Sequence, residues 1–464
     1  MSTLSIFDAA RKAPDALALI DGAVTLSFRE AADRTAPLAA ALLAVRPRAL
    51  ALTPRADTES LLWLYAAFAT GTPVLALHAR ATAAEHRAAL ERCGASEPPA
   101  VGTAAFTAAE LPPLAESSAL AFIPTSGSTG TPRLVELSRG AVLASAQASA
   151  KNLGWQANDR WLLCLPLAHA GGLSIVLRCL LARKSVLLFE PGPSGVLAQL
   201  QRLSAVAENA TLISLVPSVL AALLDSGFAP QPQLRAVLVG GAGCSPALAQ
   251  RAHAARVPLL TSYGLTETAS QVVTRRYSER FEPLAERHGV VSSGHALPGV
   301  TLQLEAETIS IRSPALFSGY LGEVDSALNP SGFFRTTDRG ELGETGELYV
   351  RGRRDDVIVS GGENVDPLEV EAALVSLPGV QAACVFGTPS ARFGQVVTAV
   401  LISADASLAE PSHLAELLAD RLARHKLPRR ALIAESLPLT LAGKIDRRAA
   451  RELFSVAFAD PRDA

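Results

Sequence analysis

The chain has 464 residues, 49% of them hydrophobic and 19% charged, with 42 basic against 44 acidic side chains and a formal charge of −2. That length can bury large cores and favours two or more domains, and the balanced charge gives no global electrostatic case for nucleic acid or an anionic membrane as partner. Five cysteines (Cys93, Cys164, Cys179, Cys244, Cys384) and eight histidines lack metal-ligand spacing, and most of the cysteines sit in apolar stretches as small buried thiols. No basic segment leads into an apolar core at the N-terminus, and the apolar run from Leu173 to Leu181 is broken by Arg178 and too short to span a bilayer. A cytoplasmic protein with no membrane insertion is expected.

Strands and helices alternate along the chain. Leu17 to Ile20, the pair Asp21-Gly22, and Val24 to Ser27 predict a hairpin. A helix follows from Phe28 towards Val45. Strands at Ala49–Leu52 and Pro73–Leu77 flank a helix around Leu61–Ala69. Residues 104–119, rich in Ala, Pro, Glu and Ser, predict a surface connection, and Ser138 caps a helix running from Gly140 into the 150s. Strand Arg235–Val239, the turn Gly240-Gly-Ala-Gly243, helix Pro246–Ala255 and strand Pro258–Ser262 form a β-α-β unit. Such alternation predicts an α/β fold of layered sheets. Beyond about Arg353, helix Pro367–Leu377, strands Ala382–Phe386 and Val396–Ile402, and helix Ser412–Arg424 predict a small α+β domain.

The most informative run is Phe122-Ile-Pro-Thr-Ser-Gly-Ser-Thr-Gly-Thr-Pro-Arg133. An apolar strand enters a loop that stacks Thr125, Ser126, Ser128 and Thr129 around Gly127 and Gly130. Glycines let backbone N–H groups turn inward and hydroxyls add donors, which suits a polyphosphate. No G-x-x-x-x-G-K-[ST] run occurs, so it is not a Walker A loop. Alone, it would read as a polar surface loop.

Four segments follow in order: Ser262-Tyr-Gly-Leu-Thr-Glu-Thr-Ala-Ser270; Thr336-Thr-Asp-Arg-Gly340; Arg351-Gly-Arg-Arg-Asp-Asp-Val-Ile-Val-Ser-Gly-Gly-Glu-Asn-Val365; and Leu437-Pro-Leu-Thr-Leu-Ala-Gly-Lys-Ile-Asp446. Together the set resembles the adenylate-forming superfamily of acyl-CoA synthetases, adenylation domains and luciferases, over nearly the whole chain. Two further segments, Leu165-Pro-Leu-Ala-His-Ala-Gly-Gly-Leu-Ser-Ile-Val-Leu-Arg178 and the continuation to Thr274, look like the o-succinylbenzoate–CoA ligase branch. The resemblance implies a large N-terminal domain over residues 1–354 and a small mobile lid over 355–464, hinged at Asp355.

It also implies a chemistry. A carboxylate attacks the α-phosphate of ATP, giving acyl-AMP and pyrophosphate, and a thiolate then displaces AMP. The first step gathers anions, so it needs donors and a cation. Residues 125–130 would grip the phosphates, with Arg133 standing where the family usually carries lysine. Gly241 and Tyr263 would line the adenine site, Thr266 would touch the α-phosphate, and Glu267 would hold Mg²⁺ bridging ATP oxygens. Asp338 would accept from the ribose hydroxyls, and Arg353 would add a ribose or phosphate contact. Lys444 would bridge carboxylate and α-phosphate, then leave as the lid turns and brings Gly361 and Gly362 to the CoA thiol.

The acyl group would meet His169, Arg178, Gly240 and Ser270. Ala168 departs from the aromatic residue common before the histidine. Arg178 lies in an apolar helix and needs an anion or a route to solvent. The free aromatic carboxylate of o-succinylbenzoate is one candidate and a structural ion pair the other. The partners implied are ATP, CoA and a small aromatic or acyl carboxylic acid; a homo-oligomer stays open. The alternatives are another aryl- or acyl-CoA ligase, an adenylation enzyme loading a carrier protein, or a non-catalytic nucleotide-binding protein. The last conflicts with the presence of Glu267, Asp338 and Lys444 together.

Overall fold

The computed structural model describes residues 4–102, 106–125, 133–190, 196–323, 327–390, 392–440 and 443–458. Its largest sheet has nine strands, and six run parallel in the order Leu259–Leu265, Ala236–Val239, Leu212–Leu215, Arg160–Leu163, Ser185–Leu188, Leu17–Asp21. Parallel strands are covered on both faces, so they read as unbroken apolar runs rather than alternating ones. Ala-Val-Leu-Val239 is buried at all four positions. The predicted β-α-β unit is present, with helix Pro246–Ala254 joining the parallel strands Ala236–Val239 and Leu259–Leu265. At one edge the expected hairpin forms, Asp21 opposite Val24, with Gly22 at φ 58°.

Helix Phe28–Val45 follows directly. Ser27 and Glu30 form a reciprocal capping box, each satisfying an N–H that the first turn leaves free. A second sheet orders strands Gly319–Tyr320, Arg133–Ser138, Ala119–Thr125, Val74–Ala76 and Leu50–Leu52. One apolar cluster, with Phe28, Tyr65, Phe68 and Trp161 almost fully buried, packs between the two sheets. Ser138 caps helix Arg139–Leu153 by accepting from the Ala141 N–H.

A third sheet is absent from the sequence reading: four antiparallel strands, Thr301–Glu305, Thr308–Arg312, Phe334–Leu342 and Leu348–Arg353. Its first turn is Ala306-Glu307, both left-handed at φ 47° and 66° without a glycine, so no turn signal marks it. Beyond it, a separate cluster from Ile358 to Ile433 packs helices Pro367–Val375 and Pro411–Leu418 on the long hairpin Val380–Ser390/Gly394–Ser403. The second helix ends at Leu418 rather than near Arg424. Its bonds tighten there to i−3 spacing (Ala419 to Glu416, Arg421 to Leu418), which still delivers Leu422 to the core. Among the described residues, no helix is long and apolar enough to cross a membrane.

Candidate active site

The hydroxyl-rich loop begins at Thr125 and ends at Arg133, which face each other across strands Ala119–Thr125 and Arg133–Ser138. Ser126, Gly127, Ser128, Thr129 and Gly130 lie outside the described residues. The Thr125 hydroxyl donates to the Arg133 carbonyl at 3.3 Å. The Arg133 guanidinium forks onto the Glu323 carboxylate, Nε to Oε1 at 2.8 Å with a second contact to Oε2, and lies over the Tyr320 ring.

Strand Leu259–Leu265 carries Tyr263 to one 3₁₀ turn, Thr266–Thr268, before reversing into Ser270–Thr274. The reversal is tight: a Cβ at Gly264 would collide with the Ser270 carbonyl and the Gln271 backbone. Ala269 and Ser270 sit at φ 50° and 106°, conformations that side chains disfavour. They are held by Thr268, whose hydroxyl donates to the Ser270 carbonyl at 2.7 Å, and by Ser145, which donates to the Ala269 carbonyl at 3.0 Å. The turn presents Thr266 and Glu267 half-buried, with Glu267 Oε1 accepting from the Tyr320 hydroxyl at 2.8 Å.

Tyr263 is buried, and its hydroxyl donates to Asp338 Oδ2 at 2.7 Å. Burial, then the Asp338 charge, raises that hydroxyl well above its ordinary pKa, so it stays a donor. Burial also raises the Asp338 carboxyl, against the Tyr263 hydrogen bond and the Arg353 and Lys444 charges. Arg353 Nε lies 4.0 Å from Asp338 Oδ1, and the same guanidinium donates to Thr337 Oγ1. Lys444 arrives from far down the chain: a Cβ on Gly241 would stand 3.3 Å from its Cε and 3.8 Å from its Nζ. Gly241, at φ 82°, thus keeps the approach open, while a Cβ at Gly240 would strike Ser262. Burial lowers the Lys444 pKa and Asp338 opposes the shift. The Lys444 loop is braced by Thr440, whose N–H donates to the Lys444 carbonyl at 2.7 Å, and by Ser218, which donates to the Gly443 carbonyl at 3.4 Å.

Behind the Tyr263–Ser270 turn lies a small cavity walled by Leu173, Leu177 and Ala269 and edged by Ser145, Ser174 and Arg178. Ser174 donates to Ser270 at 3.3 Å. Arg178 is 3% exposed, and Nη1 reaches Gln271 Oε1 at 3.5 Å, while Nε and Nη2 meet no acceptor among the described residues. Burial pushes its pKa down to about 10. The structural ion pair considered for Arg178 therefore does not form among the described residues. His169 stands at the N-cap position of the same helix, Ala170–Ala182, about 13 Å along the axis from Arg178 by helix rise, with its ring 5.2 Å from that of His78. Ser174 and Gln271 lie inside the segments read as family-like but were not singled out, and Tyr320 and Glu323 lie in none of those segments.

Asp355 lies in a 3₁₀ turn, Arg354–Asp356, at the end of strand Leu348–Arg353, with Arg354 Nε 3.8 Å from its carboxylate. Gly361 and Gly362 form the left-handed tip of the hairpin Ile358–Ser360/Glu363–Val365, at φ 61° and 87°. No contact joins them to Lys444 or Asp338 among the described residues. Nor, among those residues, do three or more His, Cys, Asp or Glu cluster as a metal cage. A single presented carboxylate at Glu267 fits Mg²⁺, which takes one or two protein carboxylates and completes its shell with phosphate oxygens and water.

This arrangement defines an adenylate-forming enzyme. Residues 96–321 match the AMP-binding enzymes and residues 369–444 their C-terminal domain, and the chain belongs to the AMP-binding enzyme family. Within it, the chain is similar to 2-succinylbenzoate–CoA ligases. The Listeria monocytogenes enzyme is 35% identical over 363 residues, covering 76% of this chain and 75% of its own. That of Bacillus velezensis is 34% identical over 341 residues, covering 71% and 68%. The o-succinylbenzoate CoA synthetase of Bacillus subtilis, solved with the acyl-adenylate OSB-AMP, superposes with a TM-score of 0.85 at 27% identity, covering 97% of each chain. The same enzyme with ATP and magnesium ion gives 0.83 at 27% identity, covering 96% of this chain and 98% of that one.

Proposed function

We infer that the chain is an AMP-forming acid–thiol ligase that converts 2-succinylbenzoate to 2-succinylbenzoyl-CoA, a step of menaquinone biosynthesis. The observation that carries the reading is the meeting of Lys444 with Gly241 and Asp338, residues distant in sequence and drawn from both halves of the chain. We divide those halves at 354/355.

In the first half-reaction the succinyl carboxylate attacks the α-phosphorus and pyrophosphate leaves. Asp338 accepts from the ribose hydroxyls, Tyr263 flanks the adenine, and Thr266 donates to the α-phosphate. Lys444 offsets the repulsion between carboxylate and phosphate, where a preorganised charge away from bulk water acts most strongly. Glu267 would hold Mg²⁺, which would supply positive charge to the phosphates when bound. In the second, the CoA thiolate attacks the acyl carbon and AMP leaves. Lys444 has then withdrawn, and the Gly361-Gly362 tip admits the pantetheine arm.

Arg178 supports the diacid. Among the described residues, the Arg178 Nε and Nη2 meet no acceptor, and a second carboxylate on the acyl group would supply one. Pyrophosphate release measured over a panel of carboxylic acids with MgATP tests the assignment. 2-Succinylbenzoate should give the highest kcat/KM; preference for plain benzoate or a fatty acid would overturn the substrate and leave the ligase chemistry.

A further inference from the structure

Two arms of the site, the Arg133 cation and the Glu267 carboxylate, meet on one side chain. Tyr320 lies on the short strand Gly319–Tyr320, which pairs antiparallel with Arg133–Ser138, Tyr320 opposite Val135. That register sets the ring beside Arg133, whose guanidinium carbon is 3.3 Å from the ring centroid. At the far end of the ring, the hydroxyl donates to Glu267 Oε1 at 2.8 Å. Phe317 packs edge-on against Tyr320 with centroids 4.9 Å apart, and its N–H donates to the Glu267 carbonyl at 2.9 Å. Side chain and backbone of Glu267 are therefore both fixed from the same short segment.

We propose that Tyr320 is a positioning residue that orients Glu267 for the metal and couples it to Arg133, so that phosphate cation and metal carboxylate are set as one unit. The proposal rests on the ligase reading, in which Glu267 takes magnesium. A carboxylate already oriented loses less rotamer freedom when it binds a cation, and partners of metal ligands tune affinity in this way. The coupling also accounts for arginine at position 133. A planar, weakly hydrated guanidinium stacks on an aromatic face where a lysine ammonium does so less well.

The test is calorimetric titration of ATP into the full chain over a series of Mg²⁺ concentrations, paired with pyrophosphate-release kinetics. Tyr320→Phe keeps the ring and loses the donor. It should raise the Mg²⁺ needed for half-maximal ATP binding roughly tenfold, the lower end for removing a ligand's partner. Its kcat at saturating Mg²⁺ and its Tm should stay near wild type. Arg133→Lys should shift the same curve, and the double variant should fall short of the sum of the two. A Tyr320→Phe curve that overlays wild type overturns the proposal. So does a loss of kcat and Tm that ignores Mg²⁺, which marks a structural role. If wild type itself shows no Mg²⁺-dependent ATP binding, the ligase reading fails together with the proposal; if it does and the variant matches it, only the proposal fails.

Discussion

Arg178 keeps a charge where charge is expensive: 3% exposed, one long contact to Gln271, and two nitrogens without an acceptor among the described residues. Such a group destabilises the fold unless an anion arrives, which supports the proposed binding role. Arg178→Ala should therefore leave Tm unchanged or raised, while KM for 2-succinylbenzoate rises by the equivalent of about 2–5 kcal/mol, as for truncating one member of a buried charged pair. An analogue lacking the ring carboxylate should hardly respond. A fall in Tm with no dependence on that carboxylate would contradict the assignment. Lys444 is the other decisive side chain. Lys444→Ala should lower adenylation by roughly 10²–10³-fold, as for loss of one preorganised charge-stabilising donor. Thioester formation from supplied acyl-AMP and CoA should survive much better; equal loss of both half-reactions would contradict its role. Both residues were legible from motifs. Their surroundings were not: the Gln271 that Arg178 reaches is 93 positions away, and nothing in the spacing of either residue encodes that contact.

At the scale of elements, the turn Arg354–Asp356 is the pivot we propose. Its lid side is clamped, since Arg447 donates to Asp356 at 2.8 Å, to Glu371 at 2.7 Å and to the Val385 carbonyl at 2.8 Å. Rotation then falls on the residue just before the clamp. Asp355→Pro fixes φ there, so pyrophosphate release should persist while CoA transfer drops sharply in single-turnover assays. If both halves run at wild-type rates, Asp355 is not the pivot. Elements with caps and clean periodicity were readable in sequence, as with Ser138, which caps Arg139–Leu153. The four-stranded sheet from Thr301 to Arg353 was not, because its strand Thr308–Arg312 is buried at four of five positions and its first turn uses left-handed Ala306 and Glu307. Neither alternation nor glycine announces such a hairpin.

Across the whole molecule, the two halves meet around Asp366, which stands at the N-cap position of helix Pro367–Val375 without a side-chain cap bond and is 7% exposed. Arg339 and Arg351 approach it at 3.6 and 3.9 Å, beyond hydrogen-bonding range, because Glu307 and Glu341 already engage them. Burial pushes the Asp366 carboxyl up to about 6, against the two arginines and with Glu369 reinforcing the rise. A carboxyl raised in the folded state contributes stability when protonated, and loses it as pH climbs through the raised value. Asp366→Asn should therefore raise Tm at about pH 7.5, with the gain shrinking below about pH 6 and closing only towards the ordinary carboxylate value of 3.8. A lower Tm for the variant at the higher pH would make Asp366 a stabilising latch instead. The order of motifs made the two-part architecture readable, but this contact depends on how the halves dock, which no local pattern records. The central claim, acid–thiol ligation of 2-succinylbenzoate, is tested most directly by incubating the full chain with MgATP, 2-succinylbenzoate and CoA and identifying products by mass spectrometry. The account predicts free 2-succinylbenzoyl-CoA with AMP and pyrophosphate in equal amounts, and none of the thioester when ATP is omitted. Acyl-adenylate that accumulates without any CoA thioester, or no turnover of the diacid at all, would contradict it.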